Sequence, residues 1–234
     1  MSNRINYFKL LRYCLIFLLV ILFCGCMKRE LHKTEYKSSP IEAEKIIFFG
    51  FKPAISQGKE SDLFHNPVSD AEVRAEPVSE FVTNRMSGEM YALLVESKDC
   101  EIINFSEIKH LADPALFEDG RSGEINKIQT IGKAFSADVA ITGYLYRMRE
   151  RKGTELAINS PDAAAYASFE IFLISVKDGS ILWKEKFDQT QRALNENLLE
   201  FKSFLKFKGK WVDVDTLIKF GLKEMADKIP LKNK

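Results

Sequence analysis

Phe172–Phe187 reads FLISVKDGSILWKEKF, two apolar-rich runs joined at Lys177-Asp178-Gly179-Ser180. Asp-Gly between such runs signals a β-hairpin, because a tight connection needs a residue that tolerates positive φ. The first run starts upstream, with Phe169, Ile171 and Leu173 at alternate positions, and in the second Ile181, Trp183, Glu185 and Phe187 alternate. Period two is the spacing of side chains along one face of a strand. An antiparallel pair is therefore the fixed point from which the remaining segments are read.

Immediately upstream, DVAITGYLYRMRER (Asp138–Arg151) puts Val139, Ile141, Gly143 and Leu145 on one face and Ala140, Thr142, Tyr144 and Tyr146 on the other. That pattern predicts a third long strand, wet on one side. Before it, Ile125, Ile128, Ile131 and Phe135 recur every three or four residues and mark a helix. EIINF (Glu101–Phe105) reads as a short strand. PVSEFVTNRMSGEMYALLVES (Pro77–Ser97) carries Val78, Val82, Met86, Met90 and Leu93 at helical spacing, with Ser79 as the cap. KIIFFGF (Lys45–Phe51) is apolar on both faces, the mark of a strand inside a sheet.

Downstream of the hairpin, Leu198, Phe201 and Leu205 suggest a short helix. Leu217, Phe220, Met225 and Ile229 place a last one before Pro230. Asp213 and Asp215 serve that helix as cap and first-turn acid rather than as a catalytic pair. The order β-α-β-α-β-β-β-α predicts an α+β or α/β domain, a mixed sheet of about five strands with flanking helices. Lys52–Pro77 is polar and proline-bearing and reads as a long loop with a short extended stretch at DAEVRA (Asp70–Ala75), a length at which function or order against neighbouring elements is common.

The amino-terminal segment has a different character. Arg4, Lys9 and Arg12 precede the uninterrupted apolar run Tyr13–Phe23. At about 11 residues it is far short of the roughly 20 that span a bilayer. A basic flank, a short apolar core and a small residue at Gly25 form a secretory signal. The segment LFCGCM resembles the lipobox of bacterial lipoproteins, with Phe23 and Cys24 where that pattern prefers Leu and a small residue. The resemblance implies cleavage after Gly25 and lipid attachment at Cys26. The expected organisation is residues 1–25 signal, 26–44 tether, 45–230 one domain and 231–234 tail.

Composition narrows the function classes. The chain carries 34 basic and 33 acidic residues. Removing the three basic residues of the signal leaves 31 against 33, a net charge of −2 on the mature chain. No nucleic-acid footprint exists in such a balance. With Cys14 and Cys24 lost and Cys26 lipidated, Cys100 alone remains, read as a small buried residue with no disulfide partner. His32, His65 and His110 are widely separated, and the sequence holds no metal-spaced cluster, nucleophile elbow or dinucleotide fingerprint. The expectation is a non-enzyme without cofactor or metal.

Two segments carry a family resemblance. IGKAFSADVAITGYLY (Ile131–Tyr146) and FLISVKDGSILWKEKF resemble the helix-to-strand passage and the hairpin of CsgG and TolB amino-terminal-like lipoproteins, matching at Gly132, Ala137, Asp138, Gly143, Asp178, Gly179 and Trp183. Each position has a structural role: glycine for a turn or close approach, Asp138 for a turn, Trp183 for burial. The resemblance implies a periplasm-facing domain anchored at the outer membrane. Its function would be that of a non-catalytic binding or assembly module, serving an export complex or a cell-wall synthase. The expected partners are the membrane, through lipid, other envelope proteins and a homo-oligomer. The candidate partner surface comprises Phe64, His65 and Pro67 in the long loop and Phe207 and Trp211 near the carboxyl end. The alternative is a ring-forming secretion channel subunit of the CsgG type.

Overall fold

A computed structural model describes residues 40–111, 123–150, 165–190 and 213–234. The expected lipidation and cleavage positions, Cys26 and Gly25, lie outside the described residues. So do Phe207, Trp211 and the short helix read at Leu198–Leu205.

A five-stranded mixed sheet forms the frame, ordered β6-β1-β7-β8-β9. β1 (Lys45–Pro53) runs parallel to both β6 (Glu101–Asn104) and β7 (Val139–Arg149). β7, β8 (Tyr166–Ser175) and β9 (Ile181–Thr190) form an antiparallel meander. Four α-helices accompany it among the described residues: α1 (Glu80–Ser97), the single turn α2 (Phe105–Ile108), α3 (Glu124–Ala134) and α4 (Val214–Lys228). The sheet does not close into a barrel. The expected class is found, and so is the expected order of the five sheet strands and three long helices.

The hairpin turn forms where Asp-Gly placed it. Gly179 has φ of 77°, and the Asp178 carboxylate accepts the Ser180 amide at 3.0 Å and its hydroxyl at 2.7 Å. Those bonds hold the Asp178 pKa down at about 2. Ser79 and Asp213 cap α1 and α4, accepting from Phe81 N and Thr216 N. Arg85 of α1 and Asp215 of α4 form a bidentate ion pair that ties the two helices together.

Two apolar layers sandwich the sheet. On one face α1 and α4 cover Ile46, Phe48, Ile141, Phe169, Ile171 and Leu173. On the other, α3 and residues 54–75 cover Ile47, Ala140, Tyr144, Phe172 and Ile174. Burial on both sides stabilises such a sheet by roughly 25 cal/mol per Å² of apolar surface removed from water.

Several sequence readings need correction. β7 is not wet on one side: Val139 through Tyr146 are all buried, because residues 55–78 fold over the face assigned to solvent. The extended stretch read at DAEVRA is a strand, and the rest of the segment is more ordered than a loop. Residues 55–78 form β2 (Ile55–Ser56) paired with β5 (Pro77–Val78), and a hairpin of β3 (Asp62–His65) with β4 (Glu72–Ala75). The helical face of α1 ends on Leu94 rather than Leu93, since Leu94 is fully buried. Trp183 is half-buried against the core edge. Cys100 is also half-buried, and burial pushes its thiol pKa up.

Both ends of the domain pair beyond the expected limits of 45 and 230. Ile41 bridges Leu231, and its amide donates to the Pro230 carbonyl at 2.7 Å. Leu231 is buried, and Asn233 bridges Lys98. The residues read as a tail thus close the sheet end, with the buried Lys98 ammonium donating to Ile229 O (3.1 Å) and Asn233 Oδ1 (2.8 Å). Burial lowers the Lys98 pKa against the pull of Asp227.

Candidate functional site: the folded insert over β7

The insert between β1 and α1 is anchored to β7 at its backbone and at one buried side chain. Ala54 N donates to Leu145 O at 3.0 Å, and Glu76 N donates to Tyr146 O at 2.8 Å, so its two ends are tied to neighbouring residues of one strand. Between them stands Asn66, fully buried. Its Nδ2 donates to the Tyr146 hydroxyl at 2.7 Å, while its Oδ1 accepts the amides of Val68 (2.8 Å) and Ser69 (3.1 Å). One amide side chain therefore both shapes the turn and docks it.

Tyr146 passes the connection inward. Its hydroxyl donates to Glu170 Oε2 at 2.7 Å, and Glu170 is only 7% exposed. The chain Asn66–Tyr146–Glu170 links insert, β7 and β8. Burial raises the Tyr146 pKa, and the bond to Glu170 adds to it, so the hydroxyl keeps its proton and remains a donor. Alongside, Tyr144 is buried, also raised, and faces Glu124, which pairs with Lys52.

Of the expected partner surface in this region, the structure divides the residues. Phe64 turns inward, with its ring 5.5 Å from Tyr144 and 6.2 Å from Tyr146, so it anchors the insert instead of facing a partner. His65 and Pro67 are exposed. Leu63, next to Phe64, points outward and is 60% exposed. Strand alternation explains the split, since neighbours on β3 face opposite sides. His65 Nε2 lies 2.7 Å from Asp70 Oδ1, and Asp70 sits at φ of 61° in the turn that Asn66 organises. The side chains of this pair are 61% and 92% exposed, open to water rather than set in a desolvated cleft of the kind that tunes catalytic groups.

Gly132, Asp138, Asp178 and Gly179 gather at the hairpin-turn end of the sheet, whereas Gly143 sits beside Tyr144 and Glu170, at the level of the insert. A Cβ on Gly132 would lie 2.6 Å from Val176 Cγ2, so glycine allows α3 to approach the hairpin. Gly143 lies under the Phe51 ring, and a Cβ there would also come within 3.0 Å of Glu170 O. Asp138 does more than form a turn. Its Oδ2 accepts the amides of Glu44 (2.9 Å) and Lys45 (3.0 Å), fixing the start of β1.

The sequence pattern places Tyr146 on the solvent face of its strand, and it singles out neither Asn66 nor Glu170. The dipeptide Asn66-Pro67 marks a turn, and Glu170 stands among apolar residues in SFEIF, where a lone acid requires a donor. These two signals together could have found the buried link.

No protein-family model matches the chain, and no curated protein matches it. Among solved structures, a PelC dodecamer from Paraburkholderia phytofirmans matches with 10% identity and a TM-score of 0.45, covering 84% of this chain and 93% of that one. Lipoprotein GNA1162 from Neisseria meningitidis matches with 12% identity and a TM-score of 0.37, covering 70% and 92%. The LpoB C-terminal domain from Salmonella enterica matches with 11% identity and a TM-score of 0.37, covering 64% and 86%. Likenesses of this size do not specify the CsgG and TolB resemblance, and they assign neither family nor function to this chain.

Proposed function

We propose that the protein is a lipid-anchored lipoprotein of the bacterial outer membrane, facing the periplasm. Its domain would bind another envelope protein as a non-catalytic assembly or accessory module. The observation that carries this reading is the construction of the insert. Phe64 and Asn66 dock it to Tyr144 and Tyr146 of β7, and Leu63, His65 and Pro67 are left outward among the exposed polar residues Lys59, Glu60, Asp62, Asp70, Glu72 and Arg74. A preorganised apolar residue within a polar rim suits protein recognition, because ordering costs are already met in the free state. The address rests on the lipobox-like segment ending at Cys26. From there to Ile41 the chain can span roughly 50 Å if extended, enough for a tethered domain to reach off the membrane.

A channel of the CsgG type is less well supported. Strands that cross a bilayer need about 9–11 residues each, whereas β3 and β4 of the insert have 4 each.

Lipid attachment is tested by labelling cells with radioactive palmitate. The wild-type chain takes up label and is processed. Cys26→Ala stays unlabelled and uncleaved, and a labelled Cys26→Ala protein would refute the anchor.

A further inference from the structure

The long strand β9 ends the sheet, and among the described residues no strand pairs with its outer side. Such an edge presents a row of backbone donors and acceptors ready for another strand. Edges are commonly blunted by lysines, and β9 carries two, Lys184 and Lys186. Here, however, an acid follows on the same face: Asp188 lies 3.4 Å from Lys186. Asp188 is held in place by the Tyr166 hydroxyl at 2.8 Å and the Ser168 hydroxyl at 3.3 Å, both from β8.

We infer that β9 is a self-pairing edge, joining two copies of the chain antiparallel about a two-fold axis at Phe187. The charge pattern of KEKFDQ selects this register. In an antiparallel two-fold pair, residues equidistant from the axis face each other on one side of the sheet, with Cβ atoms about 5 Å apart. An axis at Lys184, Lys186, Glu185 or Asp188 sets that charged residue against its own copy. An axis at Phe187 sets no like charges opposite and, unlike one at Gln189, brings unlike charges together. It places Lys186 against Asp188 of the second copy twice over, Glu185 against Gln189, and Lys184 against Thr190.

On the other face of the same stretch α4 packs beside β9. A pocket of about 200 Å³ lies between β9 and α4, lined by Phe187, Gly221 and Met225 together with the polar Glu185, Gln189 and Lys228. Gly221 sits where a Cβ would lie 2.7 Å from Phe169 and 2.8 Å from Phe187, so the helix lies close on the sheet there. At the rim, Lys228 pairs with Glu185 at 2.6 Å and Glu224 at 3.3 Å, which leaves Gln189 of a second copy a polar neighbourhood. This edge is separate from the insert surface, and its failure would leave the binding reading intact.

The test uses two full-length copies carrying different tags, expressed together and solubilised from membranes in mild detergent. Wild-type copies are recovered together. Lys186→Asp in both copies, or Asp188→Lys in both, creates two like-charge contacts and lowers co-recovery by about tenfold. The double exchange Lys186→Asp with Asp188→Lys restores it. The two side chains are 41% and 43% exposed, and Lys186→Asp, which leaves the Tyr166 and Ser168 hydroxyls their acceptor, keeps the test decisive where Asp188→Lys does not fold. A cysteine at 186 in one copy and at 188 in the other forms an intermolecular disulfide on mild oxidation, while cysteines at 184 in both do not. Failure of two wild-type copies to co-purify, single exchanges without effect, or a double exchange that fails to rescue would each overturn the inference.

Discussion

Asp138 and Lys45 hold each other twice: the Asp138 carboxylate accepts the Lys45 amide at 3.0 Å, and the Lys45 carbonyl accepts the Asp138 amide at 2.9 Å. The same carboxylate accepts the Glu44 amide, so a side chain at the start of β7 sets where β1 begins. Removing it leaves two amides without their charged acceptor. Asp138→Ala should lower stability by about 2 kcal/mol, read from denaturant unfolding of the chain, and Asp138→Asn should recover part of that loss.

The insert depends on Asn66 in a comparable way. Asn66→Ala removes three bonds at once and strands a buried Tyr146 hydroxyl's acceptor lone pairs. We expect a loss of about 2–3 kcal/mol, with faster amide hydrogen exchange concentrated at residues 66–75. Uniform acceleration over the whole domain would mean that the insert is not a separately anchored unit.

Gly143 lies under the Phe51 ring. Gly143→Ala should cost about 1–3 kcal/mol by overpacking. Phe51→Leu in the same chain should return part of that cost, because the ring is one of the two obstacles and Glu170 O is the other.

The α4 cap gives a pH-dependent prediction. Asp213 accepts the Thr216 amide, and that bond holds its pKa below the ordinary carboxylate value. A carboxylate depressed in the folded state contributes stability above its unfolded pKa and loses it as pH falls through the folded one. Asp213→Ala should therefore be less stable than wild type by about 1 kcal/mol at pH 7, and the two stability curves should converge below about pH 4.

Much of the frame was legible because it is local. Asp178-Gly179 set the hairpin, Ser79 and Asp213 set two helix starts, and KIIFFGF announced an interior strand by being apolar on both faces. What escaped the sequence is tertiary. Tyr144 and Tyr146 alternate as a solvent face would, and only the insert folding back makes that face a core. Phe64 and Leu63 are adjacent apolar residues, and their opposite fates follow from a four-residue strand too short to read by period. Asp138 looked like a turn residue because its partners lie more than 90 positions earlier. Leu231 looked like a tail because its partner, Ile41, lies at the other end of the domain.

The central claim, that the insert presents a binding surface for another envelope protein, is tested most directly by placing a photo-crosslinking amino acid at Leu63 of the full chain in intact cells. The account predicts one discrete heterologous adduct from position 63. The same probe at exposed Lys219, on α4, should not give it, and it should be lost when Cys26→Ala removes the anchor. No adduct at position 63, or adducts only with further copies of this chain, would contradict it.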